Sequence, residues 1–183
     1  MTGLKAVAAV LVGLGIVVSM TEVAAAGPRD RRAAPAAPAA AAPASSLPPA
    51  VSQAFQARFP QGKITDSESE ATDGITVYYV EFTEGSAEKT ATISASGIVM
   101  DVGTPVSSSS VPAAAMNAIK KAAAGAKIGQ IMRVDITHEA ENGVVTKLPT
   151  PDSEFTAELT SGKKTGEVTV GSDGTVVDPV SWE

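Results

Sequence analysis

The chain has 183 residues, a formal net charge of −6, one histidine and no cysteine. That length supports one or two small domains, and without thiols no disulfide can hold them, so the fold must rest on its apolar core. The acidic balance excludes the basic footprint that nucleic-acid binding requires. One histidine and no cysteine leave little for zinc or for an activated nucleophile.

Lys5 is the only charge before an apolar run from Ala6 to Val18, and "TEVAAAGPRD" follows with small residues at Ala24 and Ala26. A basic start, a short apolar segment and an A-x-A site read as a secretory signal over residues 1–26. The run is shorter than the about 20 apolar residues of a spanning helix. The expectation is therefore cleavage before Gly27, no stable membrane insertion afterwards, and a secreted or periplasmic destination; an uncleaved anchor is the alternative. No cysteine follows the site, so a lipoprotein is not expected.

Residues 27–46 read "GPRDRRAAPAAPAAAAPASS". Alanine and proline without an apolar period make a semi-extended tether. Its Arg29, Arg31 and Arg32 read as solvated charge rather than as a lipid- or wall-binding patch. With the first 26 residues go Lys5 and Glu22, leaving 13 basic and 19 acidic residues; beyond the tether there are 10 and 18, a net charge of −8.

From Leu47 the chain repeats itself. "LPPAVSQAFQARFPQGKI" (Leu47 to Ile64) aligns with "VPAAAMNAIKKAAAGAKI" (Val111 to Ile128) at an offset of 64. Each opens with proline, where a helix least misses an N–H. Val51, Phe55 and Phe59 then recur at helical spacing in the first copy, and Ala115, Ile119 and Ala123 in the second. Pro60 and Gly125 stop the two helices. Strand-like "ITVYYVEFT" follows the first and "EFTAELT" matches it in the second, with Tyr78, Val80 and Phe82 equivalent to Phe155, Ala157 and Leu159. Then come two matching hairpins, "TATISASGIVMD" (Thr90 to Asp101) and "EVTVGSDGTVVD" (Glu167 to Asp178), at an offset of 77. The 13 additional residues fall within Thr137 to Ser153, a longer excursion between strands of the second copy.

This predicts an α+β fold of two tandem α-β4 repeats, an antiparallel sheet with the helices packed on one face. The repeats span 47–106 and 111–183, with Ser107 to Ser110 as a flexible link. A single copy of about 60 residues buries marginal apolar area, so duplication supplies core. The pattern leaves open whether the copies share one continuous sheet.

Alternation then picks out a surface. If Tyr78, Val80 and Phe82 face a helix, Val77, Tyr79 and Glu81 face the other side. Thr92 and Thr169 join them, because Ile93 and Val170 point inward. Tyrosine buries much area with few rotatable bonds and is enriched at interfaces. Val77, Tyr79, Glu81, Thr92 and Thr169 are the candidate partner-binding residues; the bland alternative is a solvated sheet with cross-strand contacts. No catalytic, cofactor-binding or metal-binding residue is expected. His138 lies in the excursion and reads as a surface histidine. "DSESE" places Asp66, Glu68 and Glu70 in a straight row that does not converge as a calcium site does; it reads as an acidic strand blunting a sheet edge.

The helix that opens "LPPAV" (Leu47 to Val51) and ends in "FPQGKI" (Phe59 to Ile64), with "YYVEF" (Tyr78 to Phe82) and "GIVMD" (Gly97 to Asp101) after it, resembles the PepSY-like family. The tandem α-β4 arrangement is similar to the beta-lactamase-inhibitory-protein-like fold. The resemblance covers Leu47 to about Asp178 and implies a non-enzymatic extracytoplasmic module that binds a protein or peptide, in one form restraining a peptidase. It implies no catalytic residue and no cofactor. The alternative function is a structural or scaffolding envelope protein displayed on the tether.

Overall fold

The computed structural model describes residues 47–183; the expected signal and tether lie outside the described residues. Two helices, α1 (Pro49–Arg58) and α2 (Ala113–Ala123), each follow an extended proline, Pro48 and Pro112. Neither proline has an N–H to leave unpaired at the helix start. Val51 and Phe55 are buried on α1, with Phe59 just beyond its end, and Ala115, Ile119 and Ala123 are buried on α2. At the end of α1 the Phe59 N–H donates to the Phe55 carbonyl at 2.8 Å, and Pro60 prevents continuation. At the end of α2 it is Ala124 that turns left-handed, at φ 48, with Gly125 following at φ 92.

The strands are β1 (Lys63–Thr72), β2 (Ile75–Glu84), β3 (Ala87–Ser94), β4 (Val99–Val106), β5 (Lys127–Glu141), β6 (Val144–Ser161), β7 (Lys164–Gly171) and β8 (Val176–Trp182). All eight form one antiparallel sheet in chain order, β1 to β8.

This corrects the expected fold class. The α+β reading, two tandem α-β4 repeats with helices packed on one face of the sheet, gives way to a mostly β architecture: one eight-stranded antiparallel sheet with two short helices. The sheet is continuous from β4 to β5, where Asp101 to Val106 pair with Ile136 to Ile131. The extra residues of the excursion lengthen β5 and β6 into a paired arm, His138 to Glu141 against Lys147 to Val144. Ser108–Ser110 form a tight turn, and the Ser107 hydroxyl lies 2.8 Å from that of Ser109 and 2.9 Å from that of Ser110.

Register sorts the core. Around α1, Val51, Phe55 and Phe59 pack with Val80, Phe82, Ala91 and Ile93. The Phe55 ring lies 5.4 Å from Phe59 and 5.1 Å from Phe82, edge-on to the latter. Around α2, Ala115, Ile119 and Ala123 pack with Ile131, Phe155, Ala157, Leu159, Val168 and Val170. A third, smaller cluster of Val77, Met100 and Ala140 lies on the opposite sheet face, with Tyr79 and Val145 against it. Ala140 and Val145 belong to the β5–β6 arm, which therefore folds back onto β2.

The β3–β4 and β7–β8 turns rest on the helix starts. Gly97 and Gly174 have φ 84 and φ 85, a region that costs any residue with a Cβ. A Cβ added at Gly97 would stand 2.8 Å from the Ala50 carbonyl oxygen, and one at Gly174 would stand 2.8 Å from that of Ala114. Neither backbone oxygen can move without its helix. Gly97→Val and Gly174→Val are each expected to cost about 2 kcal/mol or more. Urea denaturation of each variant checks this, and two unchanged midpoints would place the turns wrongly.

Candidate protein-interaction face

The face opposite the helices is assembled from alternate residues of the strands. On β2 they are Val77, Tyr79 and Glu81, paired in register with Glu70, Glu68 and Asp66 of β1 and with Ser94, Thr92 and Thr90 of β3. Thr92 in turn faces Asp101 of β4, and Asp101 faces Ile136 of β5. Further along, Thr156 and Glu158 of β6 face Thr169 and Glu167 of β7, and Thr169 faces Asp178 of β8.

The five expected contact residues divide into groups. Tyr79 and Thr92 are direct cross-strand neighbours, with Val77 and Glu81 next to Tyr79 along β2. Thr169 stands four strands from Thr92, about 19 Å across a flat sheet. Val77 is 1% exposed beneath the β5–β6 arm, while Thr92 and Thr169 are 8% and 5% exposed. Tyr79 and Glu81 remain partly open to solvent. Thr169 shares a 3.0 Å hydrogen bond with the Thr156 hydroxyl, which satisfies both groups in the floor.

The arm covers one end of this face. The Gly143 N–H at its tip donates to the Asp73 carbonyl of the β1–β2 turn at 2.6 Å. A Cβ at Gly74 would stand only 3.1 Å from the Gly143 nitrogen, so glycine permits the two turns to touch. Beneath the arm is a cavity of about 50 Å³ bordered by Tyr79, Thr92, Asp101 and His138, room for water rather than for a ligand. The His138 Nδ1 lies 3.0 Å from the Thr137 hydroxyl, which donates to the Met100 carbonyl at 3.0 Å. A larger open cleft of about 400 Å³ lies beside α2, lined by Val106, Met116, Lys120, Ile128 and Ile131; it holds none of the expected contact residues.

Electrostatics marks the face. Burial pushes the Tyr79 phenol well above its usual range, and the carboxylates of Glu70 and Asp101 and a hydrogen bond to Glu70 add to this. Burial raises the Asp101 carboxyl to about 6, against the hydroxyl and N–H of Thr92, which bond to it and pull the other way. Glu167 is raised to about 7 by burial, with Glu158 and Glu183 adding repulsion. Glu81 is raised by burial and then by Asp66, Glu68 and Glu88. Alternation along single strands could not reveal Glu158 facing Glu167, because that needs the β6–β7 register. Asp101 and Asp178 were visible as matched positions of the two hairpins.

A raised carboxyl means that the folded chain holds a proton which the unfolded chain has lost. Asp101 and Glu167 thus favour folding fully below their ordinary values of 3.8 and 4.5, and that contribution is lost as pH rises through about 6 and about 7. The melting temperature is expected to fall between pH 5 and pH 8, and to fall less in the Asp101→Asn/Glu167→Gln double variant. Identical slopes for variant and parent would contradict the assignment.

Among the described residues no group of three or more histidine, aspartate or glutamate side chains is placed to hold a metal ion. None of the described helices is long and apolar enough to cross a membrane. β1, with its exposed Asp66, Glu68 and Glu70, is a free edge of the sheet.

No family model and no curated protein matches the chain. Solved structures do. The chain is similar to a proposed periplasmic protein from Bacteroides eggerthii, at 12% identity and a TM-score of 0.51 over 75% of this chain and 88% of that one. It is similar to a DUF2874 family protein from Bacteroides uniformis, at 13% identity and a TM-score of 0.50 over 72% and 86%. A BLIP-like protein from Bacteroides fragilis aligns at 15% identity and a TM-score of 0.46 over 79% and 89%. At such identities the first two establish a shared fold.

Proposed function

We propose that this chain is a non-enzymatic, secreted or periplasmic module that binds a protein or peptide through the sheet face its helices leave uncovered. Val77, Tyr79, Glu81, Thr92 and Thr169 form the contact set, with Val77 reached when the arm lifts. The observation that carries the reading is Tyr79, a partly open phenol held by Glu70 on a face that no helix covers. The fold shared with a proposed periplasmic protein and the signal-like first 26 residues support an extracytoplasmic location.

In its finer form the module is PepSY-like, its two repeats span 47–106 and 111–183, and its partner is a peptidase that it restrains. An N-terminus at Gly27 on the exported protein, read by mass spectrometry, is the expected result of signal cleavage; an intact Met1 on membrane-bound protein would refute it. The function itself is tested by passing secreted and envelope proteins over the immobilised chain and over its Tyr79→Ala variant. A protein retained by the parent and lost from the variant is the expected outcome. Equal retention by both, or none by either, would sink the reading. Inhibition of a retained peptidase would carry the finer form.

A further inference from the structure

Charge is divided between the two faces of the sheet. Both ion pairs among the described residues, Lys89 with Glu84 at 2.6 Å and Arg133 with Asp135 at 2.6 Å, lie on the helix-bearing face by register, since Lys89 pairs with Phe82 and Arg133 with Phe155. The opposite face instead sets like charges against each other. Asp66 is directly across from Glu81 at one side of the sheet, and Glu158 is directly across from Glu167 at the other. Lys63, Lys127 and Lys147 share this face by register, the first two as the first residues of their strands and Lys147 on the arm across from His138, and none of them forms an ion pair with a described carboxylate.

Like charges directly opposite on a sheet destabilise it. Two such pairs on one face, while both ion pairs lie on the other, are a cost that the folded chain offsets only by holding protons on Glu81 and Glu167. A partner bringing positive charge would relieve it. We propose that this face takes a cationic polypeptide, a lysine- and arginine-rich segment of a partner protein. The proposal rests on the reading of the face as a binding surface and adds the chemistry of what it binds. Between the two acidic sides, Tyr79 and Ile136 offer apolar surface for the stems of long basic side chains, and the Tyr79 ring can accept a cation. The carboxyls of Glu81 and Glu167, held above their usual range by neighbouring acids as well as by burial, are those a nearby guanidinium would return to the charged state. The net charge of −8 beyond the tether would speed the encounter at low salt.

The test uses the full chain and labelled oligo-arginine and oligo-glutamate peptides as probes. Oligo-arginine should bind, oligo-glutamate should not, and added salt should weaken the complex. Asp66→Asn/Glu81→Gln and Glu158→Gln/Glu167→Gln should each weaken oligo-arginine binding by about tenfold, while Glu84→Gln/Asp135→Asn, which removes the same charge from the helix-bearing face, should change it by less than about twofold. Equal losses in all three double variants would mean that net charge alone attracts the peptide, and would overturn the proposal, as would no binding by the parent. A protein partner whose capture is lost with Tyr79→Ala but unchanged by both face double variants would overturn the cationic partner and leave the face as a binding surface. Capture indifferent to all of these variants would remove both.

Discussion

Phe55→Ala is expected to lower the stability of the fold by about 3–5 kcal/mol. Phe55 is 2% exposed, and its ring meets Phe59 and Phe82, which themselves lie 4.5 Å apart. The cavity left by its removal cannot easily collapse. Gly62 closes the far side, where a Cβ would already stand 2.9 Å from the tip of the Phe55 ring, and α1 is tied at its start through Ala50 to the Gly97 turn. Ile119 on α2 is 0% exposed but smaller, in a cluster with one aromatic ring, Phe155, instead of three, so Ile119→Ala should cost less, about 2–4 kcal/mol. Thermal unfolding decides: Phe55→Ala should lower the midpoint by roughly 10 °C or more. A midpoint within a degree of the parent would mean that α1 contributes little to the folded state.

Tyr79→Ala is expected to weaken capture of the protein partner by about 2 kcal/mol, some thirtyfold, as loss of an interface tyrosine does. The same substitution should move the melting temperature by only a few degrees, because Tyr79 borders the smallest of the three clusters and retains an open side. The pairing of a large binding loss with a small stability loss separates contact from scaffold. A variant that binds fully would shift the site to the β5–β6 arm; one that unfolds would make Tyr79 part of the core.

The sequence made the helices and hairpins legible and hid how they join. Prolines before α1 and α2, and apolar residues four apart, mark helices by local chemistry alone. Gly97 and Gly174 mark their turns in the same way. The ladder between β4 and β5 has no local signature, since its partners are separated by all of α2. Its sequence also misleads: Pro105 lacks an N–H and is disfavoured inside a sheet. The structure accommodates it because the β3–β4 ladder ends at Thr90 opposite Gly103, so that beyond this point β4 is paired only with β5. Alternation placed Val77, Tyr79 and Glu81 on one face, but it could not show that Ala140 and Val145 return from the arm to cover Val77.

The strict chain order of the sheet bears on how the protein can be made. Each strand pairs only with those immediately before and after it in the chain, so the growing polypeptide never needs to hold a strand open for a partner still to be synthesised. Seven ladders can close one after another as the chain lengthens, with the segment through α2 as the only sizeable loop between consecutive strands. Closing that loop costs little more than closing a hairpin, because the entropy grows only with the logarithm of its length. A topology of this kind favours rapid acquisition of structure from the amino-terminal end.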